Sequence, residues 1–172
     1  MSKLIVLSSQ FKVLVPIIKV VGDFCNLKCG YCFYNTRDQL TRHVMSGALL
    51  EKFLSEYMEL YSGHLSFIWH GGEPLLAGLP FFERVVELQR RYLKEGQNIK
   101  NAIRTNATLV DDKWAGFFKA HDFRVGVSMD GSKESHDHFR LNHSGGSSFD
   151  QVVRGISLLR QHGIEPGIIQ TL

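Results

Sequence analysis

Two hydrophobic periods alternate along this chain. Val13–Val21 is a nearly continuous β-branched run, the pattern of a strand buried on both faces of a parallel sheet. Ser46 is placed to cap a helix running through Tyr61, with Leu49, Leu50, Phe53, Tyr57 and Leu60 on one face and Gly63 ending it. Leu65–Trp69 reads as the second strand. Phe81, Val85, Leu88 and Tyr92 mark a second amphipathic helix, stopped by Gly96. Ile99–Arg104 is a third strand, and Asp111 or Asp112 caps a third helix with Trp114, Phe117 and Phe118 turned inward. Phe123–Met129 alternates as a fourth strand. The polar stretch Asp130–Gly146 reads as a loop, and so does Asn35–Val44. Ser147 with Asp150 resembles a capping box opening a helix through Phe149, Val152, Val153, Ile156 and Leu159. Gly163 closes that helix, and Ile164–Leu172 begins a fifth strand. Met1–Gln10 is a leader of uncertain form.

Strand and helix alternating through short connections predict an α/β fold with a parallel sheet and right-handed crossovers. Roughly four and a half strand–helix units are present, against about 250 residues for a closed (β/α)8 barrel. The expectation is therefore a partial barrel, a single unit over residues 1–172 that is incomplete at its C-terminal end. Neither a repeat nor a dividing linker interrupts it.

Composition narrows the function classes. With 172 residues, 44% hydrophobic and 22% charged, the chain can bury one real core. A formal charge of +3 and the lack of any basic run argue against nucleic acid. The longest apolar stretch carries Pro16 and Lys19 and falls short of the roughly 20 residues of a membrane span. The N-terminus lacks the features of a signal peptide. Clustered free thiols then point to a reducing, cytoplasmic setting.

Those thiols are Cys25, Cys29 and Cys32, the three cysteines of the chain, all in one loop after the first strand. An odd number so closely spaced makes a poor disulfide framework. Soft ligation of iron–sulfur or zinc fits better. Three cysteines leave one iron of a cubane cluster without a protein ligand, an open position where chemistry can occur. A closed zinc site completed by His43, or a surface group of reduced thiols, are the plainer alternatives. None of the eight histidines shows metal spacing on a helix, and His70 is at most a supporting residue.

Each further informative patch follows a strand: His70-Gly71-Gly72-Glu73-Pro74 the second, Arg104-Thr105-Asn106-Ala107-Thr108 the third, and Ser128-Met129-Asp130-Gly131 with His136, Asp137 and Arg140 the fourth. Ligands in parallel α/β sheets gather at such ends. In order, the Cys-x3-Cys-x2-Cys loop with Tyr31, the GGEP turn, Thr-Asn-Ala and Ser-Met-Asp-Gly resemble the radical S-adenosylmethionine (SAM) enzymes. Their flavour is similar to the anaerobic sulfatase-maturase-like, peptide-modifying branch.

The resemblance implies a partial (β/α) barrel in which Cys25, Cys29 and Cys32 hold a [4Fe-4S] cluster whose fourth iron is chelated by SAM. It implies a cofactor site of Tyr31, Gly71, Gly72, Glu73, Thr105, Asn106, Ser128 and Arg154. There the Glu73 carboxylate takes the SAM ammonium, Ser128 lies near the ribose or carboxylate, and Arg154 pairs with the carboxylate, Arg140 and Arg160 competing. The implied chemistry is reductive cleavage of SAM to a 5′-deoxyadenosyl radical that removes a hydrogen atom from a protein or peptide side chain. An electron donor such as flavodoxin or ferredoxin is the implied partner. Residues touching substrate are expected beyond Leu172, and no SPASM extension of that branch is expected within residues 1–172. Two other functions stay open: a non-catalytic module binding a cluster or zinc, and a radical SAM enzyme for a small molecule.

Overall fold

A computed structural model describes residues 15–36 and 43–171. The N-terminal leader, residues 37–42 of the expected surface loop and Leu172 lie outside the described residues. Five parallel strands form one sheet in sequence order: β1 (Ile17–Lys19), β2 (His64–His70), β3 (Asn98–Thr105), β4 (Arg124–Ser128) and β5 (Gly167–Ile169). Between them run α1 (Gly47–Leu60), α2 (Leu79–Tyr92), α3 (Asp112–Ala120), α4 (Lys133–Phe139) and α5 (Phe149–Gln161).

Strand alternation sorts the two faces of the sheet. Leu65, Phe67 and Trp69 of β2, Ile103 of β3, and Val125 and Val127 of β4 are buried against Leu54, Phe82, Phe118 and Leu159 of the helices. Asn101, on the same face, accepts from the indole of Trp69 at 2.9 Å and exchanges two amide hydrogen bonds with Gln89. That buried polar lock fixes α2 on β3 with every group satisfied. The opposite face carries Ser66, Ile68, His70, Ala102, Arg104 and Ser128 and stays partly open.

Helix entries follow local chemistry. Ser46 Oγ accepts from Leu49 N at 3.2 Å, and Asp111 Oδ1 accepts from Trp114 N at 2.9 Å. Three expectations change. The first strand is buried on one face only: Ile18 is buried, whereas Ile17 and Lys19 are exposed on the open face. Leu49 is turned outward, and Leu50, Leu54, Tyr57 and Met58 form the buried stripe of α1. The stretch 130–146 is not all loop, since α4 lies within it.

The capping box at Ser147 also fails. Ser147 Oγ donates to Asp137, and Asp150 pairs with Lys133 at 2.7 Å. Asp137 of α4 takes over, its Oδ1 accepting from Ser148 N and Phe149 N at 3.2 Å each. A full negative charge at a helix N-terminus outcompetes a hydroxyl. Among the described residues, no helix is long and apolar enough to cross a membrane.

Candidate functional site

The C-terminal ends of β1–β4 converge on the cysteine loop. Two seams hold that loop. One runs along the segment after α4, where Lys28 N donates to Leu141 O at 2.7 Å and Gly30 N to Phe139 O at 2.8 Å. His143 Nε2 adds a donation to Cys25 O at 2.9 Å. The other seam is the turn after β2, where Glu73 N donates to Phe24 O at 2.9 Å.

The pair Gly71-Gly72 serves this second seam. Gly72 has φ +44°, and a Cβ there would fall 2.0 Å from Phe24 O. Gly71, at φ +84°, would meet Gly22 O at 2.9 Å. The closest approach, at Gly72, is to the chain entering the cysteine loop.

Cys25, Cys29 and Cys32 are thiols outside any disulfide, half-buried, lining one cavity of about 140 Å³. Tyr31, Gly72, Thr105, Asn106 and Ser128 line it too, so most of the expected site residues come together. Burial pushes the Cys25 thiol up to about 12, and burial with the neighbouring Cys32 raises Cys29 against the pull of Arg140. These groups hold their protons until a metal replaces them.

Glu73 is the main departure. Its carboxylate was expected to face the cavity, yet it is fully buried behind it. Oε1 accepts from Leu75 N at 3.0 Å and Thr105 Oγ1 at 2.8 Å, and Oε2 accepts from Asn106 N at 2.7 Å. Burial raises its pKa to about 7 against those three donors. The acid therefore ties β2 to β3 and sets Asn106. The Asn106 amide donates to Asn26 Oδ1 at 2.9 Å and reaches Cys25 Sγ at 3.7 Å. Asn26 returns a bond to Thr108 Oγ1 at 2.8 Å.

Arg154 is not brought to the cavity. It is exposed on α5 and donates to Thr108 O at 3.2 Å. The arginines lining the cavity are Arg104 and Arg140. Arg140 is committed to Asp130, as is the hydroxyl of Tyr31. Thr171 N donates to the same carboxylate at 3.0 Å. Burial works against the Asp130 charge, but Arg140, Tyr31 and Thr171 hold its pKa down to about 2.

The sequence singled out Asp130, His136 and Arg140 as one patch, but not the clamp that joins Asp130 to Arg140 and Tyr31. His136 is buried, with Nδ1 accepting from Asp130 N at 3.4 Å and Nε2 donating to Ser148 Oγ at 2.9 Å. Ser148 Oγ in turn donates to Arg140 O at 2.6 Å, so it accepts from His136 and fixes the neutral Nε2–H tautomer. The signal available was the pairing of one acid with one base from neighbouring motifs.

Residues 20–172 match the sequence profile of the Radical SAM superfamily. The chain belongs to that superfamily. It is 45% identical over 159 residues to the serine-type anaerobic sulfatase-maturating enzyme of Bacteroides thetaiotaomicron, covering 90% of this chain and 38% of that protein. The cysteine-type enzyme of Clostridium perfringens is 40% identical over 157 residues, at 89% and 42% coverage. The solved structure of native anSMEcpe with bound AdoMet and Cp18Cys peptide superposes with a TM-score of 0.85 at 39% identity, covering 91% of this chain and 42% of that one. This radical SAM chain thus spans about two fifths of the length of the relatives it matches.

The superfamily's cofactors are a [4Fe-4S] cluster and SAM, and the thiols fit the former. A single zinc ion needs its ligands gathered tightly, with Zn–S bonds of about 2.3 Å. Among the described residues no three His, Cys, Asp or Glu side chains are so gathered, His43 included. A cubane spreads three thiolates over three irons, and Cys25, Cys29 and Cys32 share one cavity with the strand-end residues Thr105, Asn106 and Ser128.

Proposed function

We propose that this chain is the cluster-bearing part of a radical SAM enzyme that modifies a protein or peptide side chain, as in sulfatase maturation. The observation that carries the reading is the convergence of Cys25, Cys29 and Cys32 on one cavity at the strand ends, with Thr105, Asn106 and Ser128 beside them. When bound, the reduced cluster and SAM supply a 5′-deoxyadenosyl radical that takes a hydrogen atom from substrate.

The chain's own residues do the positioning. Cys25, Cys29 and Cys32 give up their protons to hold three irons. Asn106, set by Glu73, stays against Cys25. The backbone of Gly71, Gly72 and Glu73, the hydroxyl of Ser128 and the Tyr31 side of the loop offer polar groups to SAM, with Arg154 or a nearer arginine for its carboxylate. A peptide substrate and an electron donor such as flavodoxin or ferredoxin complete the reading. The match to both serine-type and cysteine-type maturating enzymes supports a peptide over a small molecule.

Anaerobic reconstitution of the intact protein should give about four irons and four sulfides per chain. With dithionite it should form 5′-deoxyadenosine from SAM, and Cys25→Ala, Cys29→Ala or Cys32→Ala should each abolish both results. One tightly held zinc without iron uptake would sink the reading, as would a loaded cluster that binds SAM and never cleaves it.

A further inference from the structure

A side chain from the end of β3 aims a donor at one sulfur of the cysteine loop. Asn106 Nδ2 lies 3.7 Å from Cys25 Sγ, and Leu27 N donates to the same sulfur at 3.4 Å. As a thiol, Cys25 also faces Asn26 Oδ1 at 4.0 Å. Once that proton is given up to a metal, the sulfur can only accept. The two N–H groups are then the contacts that stay favourable.

A closed ring of hydrogen bonds fixes which way the Asn106 amide points. Its Nδ2 donates to Asn26 Oδ1 at 2.9 Å, Asn26 Nδ2 to Thr108 Oγ1 at 2.8 Å, and Thr108 Oγ1 to Asn106 Oδ1 at 2.8 Å. Thr108 N adds a donation to Asn106 Oδ1 at 3.0 Å. Turning the amide over would set its oxygen against Asn26 Oδ1 and its nitrogen against the Thr108 N–H. The ring therefore keeps the N–H toward the sulfur.

The backbone carrying Asn106 is held as firmly. Asn106 N donates to the buried Glu73 carboxylate at 2.7 Å. Ala107, next in the chain, sits at φ +59°, a left-handed conformation uncommon for a residue with a Cβ. Its N donates to Thr105 Oγ1 at 3.0 Å, and its O is covered by Gly155 of α5, where a Cβ would fall 2.2 Å away. Backbone strain maintained by three neighbouring segments points to a position whose geometry is used. Here that geometry directs one amide at one sulfur.

The effect of such a donor on a thiolate follows from charge. An N–H dipole draws electron density from the sulfur and stabilises the more negative, reduced state of a metal centre. In a partly buried cavity water dilutes this effect less than it would at the surface. We infer that Asn106 is a positioning residue that raises the reduction potential of the cluster held by Cys25, Cys29 and Cys32, by donating to the Cys25 sulfur. The inference rests on the proposed cluster-bearing reading and is read out as a potential, not as turnover.

The intact protein is reconstituted anaerobically, kept free of SAM, and titrated potentiometrically with the EPR signal of the reduced cluster as readout. Asn106→Ala removes the donor, and Asn106→Asp keeps its shape while replacing the N–H by oxygen. Both should keep about four irons per chain and lower the midpoint by about tenfold in the reduction equilibrium, or about 59 mV for one electron. Pulsed EPR on parent protein carrying asparagine labelled with 15N in its side-chain amide supplies a measurement that needs no variant. A nitrogen coupled to the reduced cluster is expected, and Asn26 Nδ2, turned to Thr108, is not its source. Absence of that coupling overturns the inference, and so does an unchanged or raised midpoint in the loaded variants. A variant that loses SAM affinity at an unchanged midpoint overturns it too, since Asn106 then serves SAM directly. A lowered midpoint in a protein that never cleaves SAM supports the inference and counts against the enzymatic reading alone. A parent that takes up zinc and no iron overturns both.

Discussion

Arg140 holds Asp130 with a forked pair of hydrogen bonds, Nε to Oδ2 at 2.7 Å and Nη2 to Oδ1 at 3.0 Å. Both side chains are almost fully buried. Tyr31, lying between the second and third cysteines, donates to the same carboxylate. The ring of Tyr31 is also 5.3 Å from the Arg140 guanidinium and 5.4 Å from Phe139. The end of β4 therefore grips the cysteine loop through one acid.

Asp130→Asn tests that grip. Removing the charge leaves Arg140 buried without its counter-ion, which costs about 3–5 kcal/mol. The expected outcome is a matching fall in the urea unfolding free energy of the metal-free protein and poor iron uptake. Tyr31→Phe removes one hydrogen bond only and should cost about 1 kcal/mol. Equal stability of Asp130→Asn and the parent would mean that the clamp does not hold the loop.

The same acid predicts a pH dependence. Its folded pKa is lowered from 3.8 to about 2. A depressed carboxylate contributes stability that is fully present above its unfolded pKa and is lost as pH falls through the folded one. The shift corresponds to about 2 kcal/mol, lost between about pH 4 and pH 2. In Asp130→Asn the acid limb of the stability curve should be flatter by that amount. Parallel acid limbs for the two proteins would remove Asp130 as its source.

Gly72→Ala probes the other seam. The new Cβ meets Phe24 O at 2.0 Å, and the backbone already sits at φ +44°. Overpacking costs about 1–3 kcal/mol and the left-handed conformation about 1 more. A loss of about 3 kcal/mol is expected by chemical denaturation. A variant as stable as the parent would show that the turn after β2 can move off the cysteine loop at no cost.

How far the sequence could be read depends on the range of the forces involved. The β2–α2–β3–α3–β4 run was legible because each element carries its own period and its own boundary signal, such as the Asp111 cap. The cysteine loop was legible because thiols at fixed spacing have few other uses. Short α4 was hidden: its seven residues, Lys-Glu-Ser-His-Asp-His-Phe, have no apolar stripe, and it is held by the Ser132 cap and by Asp137 contacts to α5. The orientation of Glu73 was hidden for a related reason. A motif shows that an acid follows two glycines, but not that three donors from other segments wait behind it.

Glu73 gives the last prediction. Its folded pKa of about 7 is raised from 4.5 by burial. A raised acid contributes stability that is full below its unfolded pKa and is lost as pH rises through the folded one. The window is about pH 4.5 to 7, and the amount about 3 kcal/mol. In Glu73→Gln the amide nitrogen would face either the Asn106 N–H or the pair of donors on Oε1, leaving a buried donor unpaired at a cost of about 1–3 kcal/mol. The variant should therefore be less stable than the parent at pH 5, nearly independent of pH, and closer to the parent at pH 8. SAM affinity should fall only as far as Asn106 is displaced, because the carboxylate does not face the cavity. Urea midpoints at pH 5, 6.5 and 8, with calorimetric SAM titration at each pH, separate these effects. A variant with parent-like stability at all three pH values and a lost SAM enthalpy would put the carboxylate back in direct contact with the cofactor.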